Sequence, residues 1–211
     1  MIQLVKLPVR RGNAPLRIAK GHFVTNHSHI NYYIDVTMPK NRLSEAKAIA
    51  KELVSHYTHS TVVDTVLCLD GTQVIGACVA NELMKENFMN MNAHQTIYVV
   101  TPEHTTGSQL VFRDNIIPMI QGKQVLILAA SVTTGYTAQA AAEAIEYYGG
   151  RVAGICSIFS SVETCVNHEV RSVFKTSDLE DYASFPSHDC PLCKEGKKID
   201  ALVNSFGFSR L

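Results

Sequence analysis

The fold is decided by residues 125–137, which read VLILAASVTTGYT. The four apolar residues that open this stretch predict a buried strand, which we expect at 124–128. A loop is predicted at 131–137, and an alanine-rich helix at 138–148 follows it and ends at two glycines. The stretch is therefore a strand, a loop and a helix in succession, which is the unit from which parallel sheets are built.

The loop has the composition of a phosphate-binding site. Backbone N–H groups at the start of a helix point outward and carry the positive end of the helix dipole. Gly135 allows a ligand to approach the backbone, and threonine hydroxyls can donate to phosphate oxygens. The predicted phosphate-binding residues are Ser131, Thr133, Thr134, Gly135, Tyr136 and Thr137. A simpler interpretation, in which these residues form a turn that only caps the helix, stays open at this point.

Strands and helices alternate on both sides of this stretch. Short apolar runs predict further strands, at 62–69, 95–100 and 151–159. Apolar residues at helical spacing predict helices, at 43–57, 74–88 and 108–120. Ser44 is the expected N-cap of the first of these helices. The alternation indicates an α/β domain with a mostly parallel sheet of about five strands and helices on both faces.

Length and composition exclude several classes of protein. The chain has 211 residues, of which 46% are hydrophobic and 18% charged, and its formal net charge is zero. A neutral chain offers no electrostatic argument for binding nucleic acid or an anionic membrane. No apolar run approaches the ~20 residues of a membrane helix, and the N-terminus lacks the apolar core of a secretory signal. Because most of the cysteines lie in apolar stretches, a reducing cytoplasm is the expected location.

Several segments resemble the type I phosphoribosyltransferases, and in particular the orotate phosphoribosyltransferases. The S-V-T-T-G-x-T pattern is similar to the motif with which that family holds the 5-phosphate of phosphoribosyl pyrophosphate (PRPP). Residues 21–28 and 32–35 look like the N-terminal hood of the family, and residues 63–66 and 70–74 look like the strand and loop that hold pyrophosphate. Residues 101–107 take the place of the mobile catalytic loop, and residues 190–196 resemble a C-terminal stretch of some members.

The resemblance implies both an architecture and a ligand. The architecture is a single domain over 1–211, with a core at 43–177 and a small hood formed by 1–37 and 178–211, in a homodimer. The implied ligand is PRPP or a nucleotide, with Mg²⁺ if PRPP is bound, and the implied reaction transfers phosphoribose to a nucleobase.

The resemblance also implies roles for particular residues. Asp70, Gly71 and Thr72 take the positions of the loop that binds pyrophosphate. Asp70 is equally explained as an ordinary turn residue. Tyr32 and Tyr33 are candidates to stack on the base, although aromatic residues in a strand are more often core residues.

The sequence departs from the family pattern at positions that carry charge. Where the family has two acidic residues, this chain has Ala129 and Ala130, which can bind neither a ribose hydroxyl nor Mg²⁺. The lysine of the family hood falls near Thr25, and the aspartate-arginine pair whose arginine recognises orotate is replaced by Ser160-Ser161. His104 is the candidate catalytic residue of the catalytic-loop segment. Two functions stay open: an orotate-like phosphoribosyltransferase, and a catalytically degenerate protein that binds a nucleotide or sugar phosphate.

Cys190 and Cys193 form a C-x-x-C pair in the C-terminal tail. With His188 the pair could be half of a zinc site, but the chain has no second C-x-x-C. We interpret the pair as two thiols in a turn, in preference to a redox pair, and we predict no metal ligand. Three more histidines lie in the hood segment, where they are expected to be solvated or core residues or to contact an anionic ligand: His22, His27 and His29.

Overall fold

The computed structural model describes residues 2–7, 14–85, 90–93, 96–106 and 109–211. In chain order the strands are β1 (Val5–Leu7), β2 (Leu16–Val24), β3 (His29–Asp35), β4 (Thr65–Cys68), β5 (Tyr98–Val100), β6 (Glu103–His104), β7 (Leu110–Val111), β8 (Gln124–Val132), β9 (Arg151–Ser160), β10 (Thr164–Cys165), β11 (His168–Lys175), β12 (Ser184–Phe185), β13 (Ala201–Asn204) and β14 (Gly207–Arg210). The helices are α1 (Thr37–Asn41), α2 (Leu43–Val54), α3 (Gln73–Leu83), α4 (Tyr136–Tyr147) and α5 (Pro191–Lys194). Short 3₁₀ segments occupy Ile117–Met119, Thr176–Asp178 and Ser187–Asp189.

The core of the molecule is a sheet with the strand order β10-β11-β9-β8-β4-β5. Every neighbouring pair from β11 to β5 is parallel, and β10 adds an antiparallel strand at one edge. Residues of the inner strands β4 and β8 are buried on both faces of the sheet, which explains why their sequences are almost continuously apolar. The prediction of a mostly parallel sheet of about five strands is confirmed.

Helices cover both faces of this sheet. Helices α2 and α3 pack on one face through buried side chains such as Ile49, Leu53 and Val79. Helix α4 packs on the other face through Ala141, Ala142 and related small residues. In the part of the chain that the structure describes, no helix has both the length and the apolar character needed to cross a membrane.

The two ends of the chain build a second sheet, which we call the hood. Its strand order is β12-β3-β2-β13-β14, and β1 pairs with β2 in addition. Strand β13, from the C-terminal part, lies parallel to β2, from the N-terminal part. Phe23, Tyr33 and Val203 belong to a separate small core of this sheet. The predicted hood from the termini is therefore present.

The helix predicted at 108–120 is wrong. Leu110 and Val111 form β7, which pairs with β6 in an antiparallel hairpin, and only a 3₁₀ turn follows at Ile117–Met119. Pro118 has no N–H to donate inside a helix, and adjacent β-branched and aromatic residues favour a strand. Ser108, the predicted first residue of that helix, lies outside the described residues, as does Gly107 of the loop segment.

Two local predictions also need correction. Ser44 is not the N-cap of α2, because α1 runs directly into it and Arg42 stands at the junction. Strand β8 continues to Val132, so that Ala129 and Ala130 lie inside the strand rather than between the strand and a loop that begins at Ser131. The predicted ends of two elements, at Phe88 and Gln95, lie outside the described residues.

Candidate functional site

The predicted phosphate loop leads from β8 into the first turn of α4. Gly135 is the N-cap of the helix and has a φ of 83°, in the left-handed region that favours glycine. No side chain among the described residues caps the helix, although three threonines are close by. The N–H groups of its first turn therefore lack partners within the helix, and Thr134 and Thr137 are exposed beside them. This arrangement fits an anion-binding site better than a self-capped turn.

Ser160 and Ser161 hold the backbone of this loop from the neighbouring strand. The hydroxyl of Ser161 donates to the carbonyl of Thr133 at 3.0 Å, and its N–H donates to the carbonyl of Val132 at 2.9 Å. The buried hydroxyl of Ser160 also reaches the carbonyl of Val132, at 3.1 Å. The positions that recognise orotate in the resembling family thus have a scaffolding role in this chain.

A cavity of about 220 Å³ opens between the phosphate loop and the hood. Tyr136 from the loop meets His27 from the hood, with their ring centroids 5.5 Å apart. One wall of the cavity consists of hood residues, among them Thr25, Asn26, His27, Ile30, Tyr33, Val203, Asn204 and Ser205. The opposite wall includes Asp70, Ala129 and the whole of the predicted phosphate-binding set, Ser131, Thr133, Thr134, Gly135, Tyr136 and Thr137. The fold therefore brings the phosphate loop and the hood residue Thr25 to the same cavity.

The turn at Asp70-Gly71-Thr72 is held from below by a buried lysine. Asp70 and Gly71 both have positive φ values, 55° and 78°. The ammonium group of Lys40 donates to the carbonyl of Asp70 at 2.8 Å and to that of Ser205 at 2.5 Å. Burial lowers the pKa of Lys40, and the carboxylates of Asp70 and Asp35 partly oppose that shift. The lysine thus joins the predicted pyrophosphate loop to the turn of the hood hairpin.

Members of the predicted pyrophosphate loop differ in their access to the cavity. Asp70 lines it, whereas Thr72 is fully buried and donates its hydroxyl to the carbonyls of Leu69 and Leu128. Neither Gly71 nor Thr72 is among the described residues that line the cavity. Thr72 therefore stabilises the turn.

The two alanines at the positions of the family's acidic pair face different surroundings. Ala129 lines the cavity, and it packs with the residues between the sheet and α4. Ala130 is completely buried on the opposite face of the sheet, in the core that includes Val66 and Leu128. Successive residues of a strand point to opposite faces. The cavity wall therefore lacks a carboxylate at position 129, and position 130 does not contribute to the wall.

The two tyrosine candidates are also separated by strand alternation. Tyr33 lines the cavity, and burial, with a contribution from Asp35, raises the pKa of its hydroxyl to about 12. Tyr32 packs into the main core, where its ring stacks on that of Tyr182 with centroids 6.5 Å apart. Of the pair, Tyr33 is the residue placed to contact a ligand.

His104 lies on the exposed hairpin of β6 and β7, and it is not among the described residues that line the cavity. Its neighbour Glu103 accepts two hydrogen bonds from the guanidinium of Arg113, at 2.6 and 2.9 Å. These bonds lower the pKa of Glu103. The charge beside His104 is thus matched by Arg113.

Cys190 and Cys193 meet histidines that the sequence interpretation did not connect with them. Ligand atoms of His22, His29, Cys190 and Cys193 all lie within 4.8 Å of one another. His22 and Cys190 are 168 positions apart in the chain, so that only the fold shows their proximity. His188 is not part of this cluster, and His27 faces the cavity. The only signal in the sequence was the presence of a histidine pair in one hood segment and a cysteine pair in the other.

Comparison with known proteins shows relatives in sequence and in structure. No family model matches the sequence. An orotate phosphoribosyltransferase of Chlorobaculum parvum is 27% identical over 184 residues, which cover 86% of each chain. The Mycobacterium tuberculosis orotate phosphoribosyltransferase, solved in complex with PRPP, has a TM-score of 0.52 and 17% identity, and the match covers 70% of this chain and 83% of that one. The adenine phosphoribosyltransferase of Thermoanaerobacter pseudethanolicus has a TM-score of 0.51 and 16% identity, over 68% and 88% of the two chains.

These likenesses and the two-sheet architecture show that the chain has the type I phosphoribosyltransferase fold. Within that class, its sequence is similar to orotate phosphoribosyltransferases over most of its length. Because the structural neighbours act on different bases by name, the fold alone does not identify a base.

Proposed function

We propose that this protein binds the phosphate of PRPP or of a nucleoside monophosphate at the N-terminus of α4, with the ribose in the cavity beneath the hood. The observation that carries the proposal is the helix start at Gly135, which has no side-chain cap and opens into that cavity. Unpaired N–H groups and the helix dipole favour a phosphate there, and hydroxyls of Thr133, Thr134 and Thr137 supply further donors.

Calorimetric titration with ribose 5-phosphate, PRPP and nucleoside monophosphates, with and without Mg²⁺, tests this binding. Replacing Thr137 with valine keeps the shape of the side chain and removes one donor. We expect the affinity for ribose 5-phosphate to fall by about 1.5 to 3 kcal/mol, the usual contribution of a hydrogen bond to a charged group. Thr96→Val is the matched control, because this exposed threonine precedes β5 and so lies at the amino ends of the parallel strands, whereas the loop follows the carboxyl end of β8. Equal affinities of the two variants for ribose 5-phosphate would show that the loop only caps the helix and does not bind phosphate.

A second candidate function is transfer of phosphoribose to a nucleobase of the orotate class. It is supported by the similarity to orotate phosphoribosyltransferases over 86% of the chain. In this reaction a ring nitrogen of the base loses its proton to solvent and forms a bond to C1 of the ribose. The bond from C1 to the oxygen of pyrophosphate breaks, and pyrophosphate leaves. The binding loop and the hood can orient the two reactants, which is one large part of catalysis.

The cavity offers little charge to stabilise that step. Among the described residues that line it, Asp70 is the only carboxylate, and Ala129 faces the position where a second one would act. Mg²⁺ would therefore arrive as the complex of PRPP rather than be bound first by protein ligands. Each oriented charge that is lost costs on the order of 2 to 4 kcal/mol of transition-state stabilisation. We accordingly propose a slow transferase at most, with binding as the main property of the site.

Release of pyrophosphate from PRPP in the presence of orotate, uracil or adenine measures this second function directly. We expect slow release with the natural chain, and we expect Ala129→Asp to make PRPP binding depend on Mg²⁺. Ala129→Asn is the matched control, because it adds a side chain of nearly the same volume to the cavity wall without a carboxylate. If both variants bind PRPP with the same response to Mg²⁺, the assignment of position 129 to the ligand wall is wrong.

A homodimer and a cytoplasmic location complete the proposal. The first rests on the family resemblance, and the second rests on the cysteines that lie in apolar stretches. Sedimentation velocity of the purified chain tests the first: a single species of twice the 23.2 kDa chain mass is expected, and a monomer at every concentration would contradict it.

A further inference from the structure

We propose that His22, His29, Cys190 and Cys193 bind a zinc ion that fastens the C-terminal segment to the hood. Their four ligand atoms lie within 4.8 Å of one another, and all but Cys193 are buried. Two imidazoles and two thiolates in a closed set are the ligands of tetrahedral structural zinc sites. The cluster lies outside the phosphate cavity, and it is independent of the function proposed for that cavity.

Three of the six distances among the four ligand atoms are close to the edges of a zinc tetrahedron. Bond lengths of about 2.05 Å to nitrogen and 2.3 Å to sulfur place N and S ligands about 3.6 Å apart. His22 Nε2 lies 3.7 Å from both Cys190 Sγ and Cys193 Sγ, and Cys193 Sγ lies 3.4 Å from His29 Nδ1. The two nitrogens are 2.9 Å apart, so that they need to separate by a few tenths of an ångström to admit the ion.

The tautomer of His22 is fixed in the form that a metal requires. Its Nδ1 lies 3.0 Å from the carbonyl oxygen of Lys197, and because a carbonyl can only accept, Nδ1 carries the proton. In this tautomer the lone pair is on Nε2, which lies 2.9 Å from His29 Nδ1 and 3.7 Å from the sulfurs of Cys190 and Cys193. A backbone carbonyl bound to the far nitrogen of a ligating histidine is the usual outer partner in metal sites.

Two local features of the backbone aim the ligands. The register of β2 and β3 shifts between Lys20 and Phe23, which places His22 in a β-bulge, a device that redirects a side chain. The carboxylate and N–H of Asp200 hold the backbone of His22 on both sides, at 2.8 Å each. Cys190 is the N-cap of α5 and Cys193 lies within its single turn, so that the sequence C-P-L-C presents both sulfurs to the same side.

The position of the cluster gives the ion a structural role in the hood. His22 and His29 stand on either side of the β2–β3 turn, whose Thr25, Asn26 and His27 line the cavity. Cys190 and Cys193 precede β13, whose end lines the same cavity. The ion would tie these two cavity walls together, in a hood with a small apolar core. Closing contacts over long chain separations is what metal staples contribute to such folds.

The first test is the metal content of the chain purified under reducing conditions without a metal-affinity step or chelator. Elemental analysis is expected to find one zinc ion per chain. Cobalt(II) added to the reduced, zinc-free chain is expected to give intense visible bands of tetrahedral cobalt and an ultraviolet band of thiolate bonded to cobalt. Because this second measurement uses the natural chain, it does not depend on whether a variant folds. An octahedral, weakly absorbing cobalt spectrum together with zinc-free protein would overturn the proposal in favour of a metal-free, hydrogen-bonded cluster.

The second test uses variants of the ligands and matched controls. His22→Asn and Cys193→Ser are expected to weaken zinc binding by more than the roughly 10- to 100-fold that the loss of an outer partner costs. His188→Asn and Cys165→Ser change the same residue types outside the cluster, and they are expected to keep the natural zinc content. Unchanged zinc binding in both ligand variants would refute the assignment, as would loss of zinc in His188→Asn alone.

Discussion

The predicted phosphate loop depends on Gly135 for its backbone angle and for the space beside it, and the substitution Gly135→Ala tests both. In Gly135→Ala the residue must keep a φ of 83°, which costs an L-residue about 1 to 2 kcal/mol. The added Cβ would also lie 3.0 Å from the Cys165 sulfur, a contact tighter than most real Cβ contacts. We expect a total loss of about 2 kcal/mol in the free energy of unfolding, measured by urea denaturation.

A matched control separates the backbone cost from the effect on the site. Gly122 has nearly the same backbone angle, a φ of 70°, and no atom lies within 4 Å of a Cβ placed there. Gly122→Ala is therefore expected to lose about 1 kcal/mol of stability and to bind ribose 5-phosphate normally. Gly135→Ala is expected to bind it about tenfold more weakly or worse, because relief of the contact tilts N–H groups that a charged ligand needs. Adding Cys165→Ala to Gly135→Ala is expected to recover the steric part. Equal ligand affinities in Gly135→Ala and Gly122→Ala would refute the role of this helix start in binding.

Two further predictions concern buried charges that hold the frame around the site. Lys40→Met leaves the carbonyls of Asp70 and Ser205 without their donor. We expect it to lower the free energy of unfolding, measured by urea denaturation, by about 2 kcal/mol. Lys47→Met, at an exposed position, is the control and is expected to change the free energy of unfolding little. Glu45 accepts two 2.8 Å hydrogen bonds from Arg17, and these bonds lower the pKa of the Glu45 carboxyl below 4.5. The stability that the pair contributes is therefore present above pH 4.5, and it is lost as the pH falls through the lowered pKa. Glu45→Gln is expected to cost about 3 kcal/mol at pH 7 and to remove that part of the acid dependence, while Glu82→Gln in the more exposed pair with Lys85 is expected to cost less than about 0.5 kcal/mol. Retained acid dependence in Glu45→Gln would contradict the second prediction, and unchanged stability in Lys40→Met the first.

What the sequence predicted well is what a local pattern determines. The 26 residues from 125 to 150 contain the apolar run of β8, the glycine at the start of α4 and the glycines after that helix. These features define the strand, loop and helix from which the parallel sheet is built. The helix predicted at 108–120 failed because apolar spacing alone did not outweigh Pro118 and the run Leu110-Val111-Phe112. Periodicity cannot distinguish a short strand from a buried helix in such a run.

The cluster of His22, His29, Cys190 and Cys193 illustrates a different reason why a prediction from sequence fails. A C-x-x-C pair is a local signal, but its partners lie across the fold on strands β2 and β3. The bulge that aims His22 depends on Gly21, where a Cβ would lie 2.6 Å from the Asp200 carboxylate. The close approach of Gly21 to Asp200 brings the N-terminal and C-terminal hood segments together, so that the sequence of either segment alone does not predict it.

Binding and transfer make different demands on a phosphoribosyltransferase fold, and this chain meets them unequally. Phosphate binding relies on backbone N–H groups and the direction of a helix, which the serines of β9 and its following turn hold in place through the carbonyls of Val132 and Thr133. Transfer relies on side-chain charges at particular points of the cavity wall, and at position 129 the wall ends in a methyl group. A carboxylate there would also lie near the bound phosphate and repel it unless Mg²⁺ came between them. Alanine removes that repulsion, so that the substitution that we propose to weaken transfer would also favour metal-independent binding of a phosphate. If the proposed function holds, the site is better suited to binding a ribose phosphate than to catalysing the loss of pyrophosphate from PRPP.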